Sequence, residues 1–233
     1  MFESSISDGV LRLRRPGMRW LSTGWNGGFE RAATADNIEV PEGWNRTDLE
    51  TYVAERRERA GVGGGGPALL TGVSMRHARG ARLGPVEAHA TAGVSNPAAL
   101  PMDPTGADLA ATGPSGHHVG TVNVIVGTTH QLDDGALSTL LAVVAEAKTA
   151  TLLATTSFTG TTTDAVVVGS DESGKPETFA GSATPVGSAA RACVREAVRA
   201  SLQSRYADRD VPDSVVDAEY GVVTDRRAEV FEP

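Results

Sequence analysis

Residues 119–169 constrain the fold more than any other part of the chain, because they read in one run as strand, turn, helix, loop and strand. The segment 121–128 (TVNVIVGT) is β-branched and uncharged, with Gly120 before it and Asp133-Asp134-Gly135 after it. That composition suits a strand buried on at least one face. Ala136, Leu137, Leu140, Leu141, Val144, Ala145 and Lys148 then recur at helical spacing, with Asp133 or Asp134 as N-cap. Gly160-Thr161-Thr162-Thr163-Asp164 opens a second apolar run, Ala165 to Val168. A helix docked on two neighbouring strands is a core by itself, and the polar cluster at the mouth of the last strand is where chemistry is expected.

Composition sets the frame around that unit. The chain has 233 residues, 40% hydrophobic and 21% charged, which is ample for one large domain or two small ones. No apolar run approaches the roughly 20 residues of a membrane helix, and no signal-type start is seen. Neither membrane association nor secretion is therefore expected. The single cysteine, Cys193, excludes an internal disulfide and fits a reducing, cytoplasmic setting. A net charge of −8 argues against a nucleic-acid partner, which needs a basic footprint. Lys148 and Lys175 are the only lysines, and Asp, Glu, Thr and Ala abound. Such a surface resembles that of proteins from salt-loving archaea, where ions screen self-repulsion within about 3 Å at 1 M salt.

In chain order, Val10, Leu11 and Leu13 mark a first strand. Residues 20–29 (WLSTGWNGGF) suit a tight loop near a ligand or, equally, a plain turn. Asn37 to Val40 is extended before Pro41. Thr47-Asp48-Leu49-Glu50 has the spacing of a capping box and starts a helix that Gly61 ends. The glycine run 63–66 lacks the Gly-Lys-Ser/Thr ending of a phosphate loop and reads as a flexible surface loop. Leu69 to Met75 is a further strand, followed by the basic cluster Arg76, His77, Arg79 and Arg82, which is either a solvated rim or a seat for an anionic or carbonyl-bearing ligand.

Residues 86–94 (VEAHATAGV) alternate strictly. Val86, Ala88, Ala90, Ala92 and Val94 share one face, while Glu87, His89 and Thr91, with Ser95 just beyond, share the other. The second face holds the residue types from which nucleophilic catalysis is built. The competing reading is the solvent face of an edge strand. Residues 98–118 form a breaker-rich loop ending in His117 and His118, whose adjacency makes a poor metal pair. Thr184 and Pro185 start a helix to about Tyr206 with an inner stripe of Val186, Ala189, Ala190, Cys193, Val194, Ala197, Val198 and Leu202. Cys193 on that stripe reads as core. The architecture expected is α+β with α/β-type layers: mixed β-sheets from strands near 10–14, 69–75, 86–94, 121–128 and 163–169, covered by helices 47–60, 135–153 and 185–206. It forms a single domain over 1–206 with an acidic polar tail, 207–233, of a composition suited to partial disorder. Assembly into a homo-oligomer is left open.

Five blocks now on the page carry a resemblance. Ser22-Thr23-Gly24 with Asn26-Gly27-Gly28, the stretch 91–96 (TAGVSN), 120–126 (GTVNVIV), 146–150 (EAKTA) and 160–165 (GTTTDA) resemble, in order over roughly residues 20–205, the adenosylcobinamide amidohydrolase family. The segment 180–184 lacks a histidine expected there in many relatives, and the loop 98–118 and the tail depart from the pattern as well. The resemblance implies hydrolysis of the amide joining the aminopropanol arm to the corrin ring, giving adenosylcobyric acid and aminopropanol for corrinoid salvage. The partner is then a corrinoid small molecule, and no protein cofactor or metal is implied, because cobalt travels with the substrate.

For the site, Thr91 or Ser95 is the expected nucleophilic or water-positioning hydroxyl, with His89 as base. Lys148 and Asp164 are the expected charged pair, for which a structural salt bridge is an equal reading. Asn26, Gly27, Gly28, Asn96, Asn123 and Thr161 are expected to contact substrate. Two other readings stay open: a self-processing hydrolase with Thr91 as new N-terminus after Ala90, and a non-catalytic corrinoid-binding protein.

Overall fold

The computed structural model describes residues 2–41, 43–106, 121–218 and 220–233. His117, His118 and most of the loop 98–118 lie outside the described residues, as do Val119 and Gly120. In chain order the elements are β1 (Glu3–Ser7), β2 (Val10–Arg14), β3 (Met18–Ser22), β4 (Gly28–Arg31), β5 (Thr34–Glu39), α1 (Leu49–Arg59), β6 (Ala68–Thr71), β7 (Arg79–Leu83) and β8 (Val86–Ala92). Then follow β9 (Pro97–Ala99), β10 (Val122–Thr128), β11 (Gln131–Leu132), α2 (Asp134–Thr156), β12 (Gly160–Thr161), β13 (Ala165–Asp171), β14 (Pro176–Glu177), α3 (Pro185–Arg205) and β15 (Val222–Val223).

Two sheets carry the architecture, ordered β1-β2-β5-β6 and β4-β3-β13-β10-β8-β7. The pair β10 and β13 is parallel, Asn123 opposite Ala165 through Thr128 opposite Ser170, and α2 makes the crossover that parallel pairing requires. Both strands are nearly continuous apolar runs because both faces are covered. On one face, α2 and α3 close a core with Val86, Ala88, Ala90, Ala92, Val122, Val124, Val126, Val166 and Val168. On the other, Ile125 and Val167 meet Phe2, Leu11, Leu13, Met18, Trp20 and Leu69 between the sheets. The smaller sheet is covered on its outer side by α1, through Val10, Ile38, Val40, Tyr52 and Val53. The result is an α+β stack in four layers: helix, sheet, sheet, helix pair. Gly127 and Gly169 face each other across β10 and β13 because a Cβ on either would strike a ring, Phe2 at 2.0 Å and Trp20 at 2.3 Å.

Asp133 caps α2 by accepting from Ala136 N at 2.8 Å, and Thr184 caps α3 by accepting from Gly187 N at 3.0 Å. The whole inner stripe of α3 is buried, Cys193 included. Burial pushes the Cys193 thiol up from its ordinary range.

Other expectations need correction. The capping box at 47–50 does not form. Asp48 occupies the cap position without accepting from the first-turn amides, Arg46 engaging its carboxylate at 2.9 and 2.5 Å, and the helix begins at Leu49. The strand expected over 69–75 stops at Thr71, and a 3₁₀ turn occupies Met75–His77. The arms of the 20–29 stretch belong to β3 and β4, an antiparallel pair that leaves only 23–27 as loop. β8 is no edge strand: it lies between β10 and β7. The glycine run 63–66 is held from below, its carbonyls at Gly63, Gly65 and Gly66 accepting from Arg12, Thr34 and Arg57. α2 is long and apolar enough to cross a membrane by length and composition, with mean hydropathy 1.5 and half of that stretch buried in the fold. Beyond α3 the chain runs back over 95–106: Tyr220 N donates to Ser95 O at 3.0 Å, β15 pairs with β9, and Val211 and Val215 pack on the helix-side core.

Candidate active site

β8 alternates as its sequence dictates, so Glu87, His89 and Thr91 point away from the helices. The opposite layer is a second sheet rather than water. Thr91 Oγ1 accepts from Asn37 Nδ2 of β5 at 2.9 Å and lies 3.5 Å from Thr71 Oγ1 at the end of β6. Asn123 of β10 donates to Asn37 Oδ1 at 3.0 Å and to the Leu70 carbonyl at 2.9 Å. Thr121 Oγ1 sits 3.3 Å from Asn123 Oδ1 and donates to the Thr163 carbonyl at 2.7 Å. Asn37, Thr71, Thr91, Thr121 and Asn123 are all at most 2% exposed. Neutral amides and hydroxyls tolerate such burial when each finds a partner, whereas one left unpaired costs about 1–3 kcal/mol.

The chain of bonds ends beside Asp164. Its carboxylate accepts from Val122 N at 2.9 Å, Thr161 Oγ1 at 2.5 Å, Thr161 N at 3.2 Å and Lys148 Nζ. Four donors use the lone-pair sites of an ionised carboxylate. Asp164 thus ties the start of β10, the 160–164 turn and α2 together while holding a charge at the sheet end. Gly160 is required here, because a Cβ would stand 2.7 Å from Asp164 Oδ2 and 3.3 Å from Lys148 Nζ. The neighbouring Asn96 donates to Thr162 Oγ1 at 2.6 Å, and Thr162 N returns a bond to Asn96 O at 3.2 Å.

These groups border a cavity of about 320 Å³ at the end of the sandwich. Trp25, Trp44, Leu49 and Leu69 form apolar walls, and Thr23, Thr121, Thr163 and Asp164 supply polar groups. A second, more open cavity of about 670 Å³ shares Trp25 and includes Asn26 and the glycine run. An apolar pocket with a few convergent polar groups is the usual form of a small-molecule site. Among the described residues no three His, Cys, Asp or Glu side chains gather in a metal-holding group.

The structure therefore links Thr91 and Asn123 in one bonded chain that ends at the Thr163 carbonyl, and Thr161, Lys148 and Asp164 in a second set next to it in the 160–164 turn, with Asn96 alongside through Thr162. Asn26, Gly27 and Gly28 are exposed, and Asn26 borders the larger cavity beside Trp25. Ser95 is half-buried just past β8. His89 is taken up elsewhere: its Nε2 meets Glu87 Oε1 at 2.8 Å, and Arg82 reaches Glu87 at 3.0 Å. Burial raises the Glu87 carboxyl, but the bonds from His89 and the charge of Arg82 outweigh it and leave the group below its ordinary range. The sequence reading missed Asn37, Thr71, Trp25, Trp44 and the cavity-facing role of Thr121. Asn37 had one legible signal, a polar amide inside an extended run; the placement of Trp25 and Trp44 on one cavity had none.

A family model described as adenosylcobinamide amidohydrolase matches residues 3–210. A Halobacterium salinarum protein named adenosylcobinamide amidohydrolase is 57% identical over the full length of both chains. A Methanosarcina mazei protein of the same name is 30% identical over 79% of this chain and 90% of its own. A match that runs through every strand of both sheets and all three helices admits one conclusion: this chain belongs to the adenosylcobinamide amidohydrolase family.

Proposed function

We propose that this protein hydrolyses the amide linking the aminopropanol arm of adenosylcobinamide to the corrin ring, releasing adenosylcobyric acid and aminopropanol, in the cytoplasm of a halophilic archaeon. The observation that carries the reading is the full-length 57% identity to the Halobacterium salinarum protein of that name. Cobalt belongs to the substrate in this reading.

Size supports one part of the pose. At about 320 Å³ the inner cavity is at the low end of the ~300–1,000 Å³ usual for small-molecule pockets. It suits a single amide-bearing arm, with the macrocycle outside against Trp25 and Trp44. The arm's carbonyl then lies among Thr121, Thr163 and Asp164. The Lys148 ammonium, 7% exposed and bonded to Asp164 of the cavity wall, supplies positive charge for an oxyanion formed there. A preorganised donor in a dry site contributes on the order of 10²–10³-fold. Asp164, with its lone pairs engaged, positions Lys148 and the 160–164 turn. Thr91, Asn37 and Asn123 hold Thr121 from within, and Thr91 acts through that chain of bonds, being wholly enclosed. The amide C–N bond breaks, the nitrogen leaves as the aminopropanol amine with a proton from water, and the carbonyl carbon gains the hydroxyl.

The test is incubation with adenosylcobinamide and detection of aminopropanol and the corrinoid acid by mass spectrometry. Release at a rate proportional to enzyme is expected. Tight binding without release selects the non-catalytic reading, and an intact mass split at Ala90–Thr91 selects self-processing.

A further inference from the structure

The basic cluster after β6 is completed by α3. Arg76, His77 and Arg79 meet Ser204, Arg205 and Arg209, and the charges of all four arginines act on His77. Among the described residues none of the four is paired with a carboxylate, in a chain whose net charge is −8. Arg12, Arg15, Arg19, Arg57 and Arg82, by contrast, each hold an acid. Four like charges gathered on one small surface oppose folding unless an opposite charge joins them.

Hydrogen-bond polarity narrows what can join. Arg76 Nε donates to His77 Nε2 at 2.9 Å, which leaves the imidazole proton on Nδ1. That proton points at Ser204 Oγ, 3.0 Å away. Arg79 donates to the same oxygen at 2.6 Å. With two donors already aimed at it, Ser204 Oγ has its own proton free to point outward. Arg205 Nε is buried with no acceptor, and Arg205 and Arg209 lie over the Tyr206 ring at 6.0 and 5.2 Å. The Tyr206 hydroxyl meets Arg205 and already accepts from Val94 N at 2.9 Å. The surface offers donors and positive charge, so its ligand must be rich in acceptors and negative.

We propose that Arg76, Arg79, Ser204, Arg205 and Arg209 form a binding site for an oxyanion, a phosphate or carboxylate group, separate from the cavity at the sandwich end. Guanidinium forks match the paired oxygens of both groups. The site is independent of the amide-hydrolysis reading. It touches the other site through the backbone, since Arg205 packs on Gly93 and Gly93 N bonds Thr121 O at 3.1 Å.

The experiment is thermal unfolding and calorimetric titration of the full chain with potassium phosphate at constant ionic strength, potassium chloride making up the balance. Potassium acetate serves as the carboxylate arm. Phosphate or acetate is expected to raise Tm by about 5–10 °C at a hundredfold excess over Kd. The stronger of the two names the group. Arg76→Ala and Arg79→Ala should each weaken binding about tenfold or more. Arg79→Glu supplies an internal carboxylate, so it should raise Tm without added anion and abolish the response. The proposal is overturned if chloride, phosphate and acetate act alike at equal ionic strength, or if Arg79→Glu keeps the full response. A far-ultraviolet circular dichroism spectrum matching that of the wild type serves as the check that each variant is folded.

Discussion

Both faces of β8 are closed off from water, His89 alone being partly exposed, but by opposite means. Toward the helices, Val86, Ala88, Ala90 and Ala92 are at most 1% exposed and gain from non-directional burial. Toward the second sheet, Glu87 and Thr91 are at most 3% exposed, and each depends on particular partners. The apolar face tolerates substitutions that keep volume. The polar face does not, because losing one partner strands the next. A sandwich interior that carries Asn37, Thr71, Thr91 and Asn123 beside its Phe2–Trp20 core gives up apolar burial at one end and gains a fixed array of donors next to the cavity.

The largest effect tests the end of that array. Asp164→Ala removes the acceptor of four donors and leaves Lys148 buried and unpaired, an arrangement that typically costs about 3–5 kcal/mol. Urea unfolding should show that loss, with aminopropanol release down by about 10²–10³-fold. Asp164→Asn keeps the acceptor for Val122 and Thr161 and should recover much of the stability but not the rate. Wild-type turnover in Asp164→Asn would reduce the ion pair to a fastening. On the helix side, Leu140→Ala should cost a comparable 2–5 kcal/mol or so through cavity formation, with kcat/KM unchanged. A large rate loss there would erase the distinction between the faces.

A smaller effect is expected in the middle of the array. Asn37→Ala strands Thr91 Oγ1 and Asn123 and should destabilise by about 1–3 kcal/mol. Replacing both ends of one bond, as in Asn37→Leu with Thr91→Val, should recover the part of that loss due to Thr91, while Asn123 still lacks its Asn37 acceptor. Hydrolysis should stay depressed in the double variant. If it recovers with stability, the amides serve packing and not the cavity.

The contrast also marks how far the sequence could be read. The β10–α2–β13 unit and the stripe of α3 were legible because period and capping are local properties: Asp133 and Thr184 sit in sequence beside the amides they cap. The alternation of β8 was equally plain, but alternation tells which residues share a face and not what covers it. Deciding between water and a second sheet needed β5 and β6, whose pairing with each other is parallel and spans the whole of α1. The same limit hid the site. Lys148 and Asp164 could be suspected of pairing because a helix ends near the Gly-Thr turn, while Asn37 and Trp44 reach the cavity from a sheet whose position no spacing encodes. Thr47-Asp48-Leu49-Glu50 failed for a competing reason, a neighbouring Arg46 that outbids a backbone amide for the carboxylate.

The least effect, and the most specific to the polar face, concerns pH. Glu87 is buried yet ionises below its ordinary value of 4.5, since the His89 bond and the Arg82 charge outweigh desolvation. A carboxylate with a depressed folded-state value contributes stability that is present above its unfolded value and is lost as pH falls through the folded one. Urea midpoints measured from about pH 6 down to about pH 3 should therefore decline for the wild type. Glu87→Gln keeps an acceptor for His89 but has no proton to gain, so its stability should be lower at the upper end of that range and its decline shallower, the two curves converging in acid. Ala88→Ser, one residue along on the helix-facing side, should shift the wild-type curve downward without changing its slope. Parallel curves for Glu87→Gln and wild type would mean that the charge between the sheets contributes nothing, and that the two faces of β8 differ in chemistry without differing in energetics.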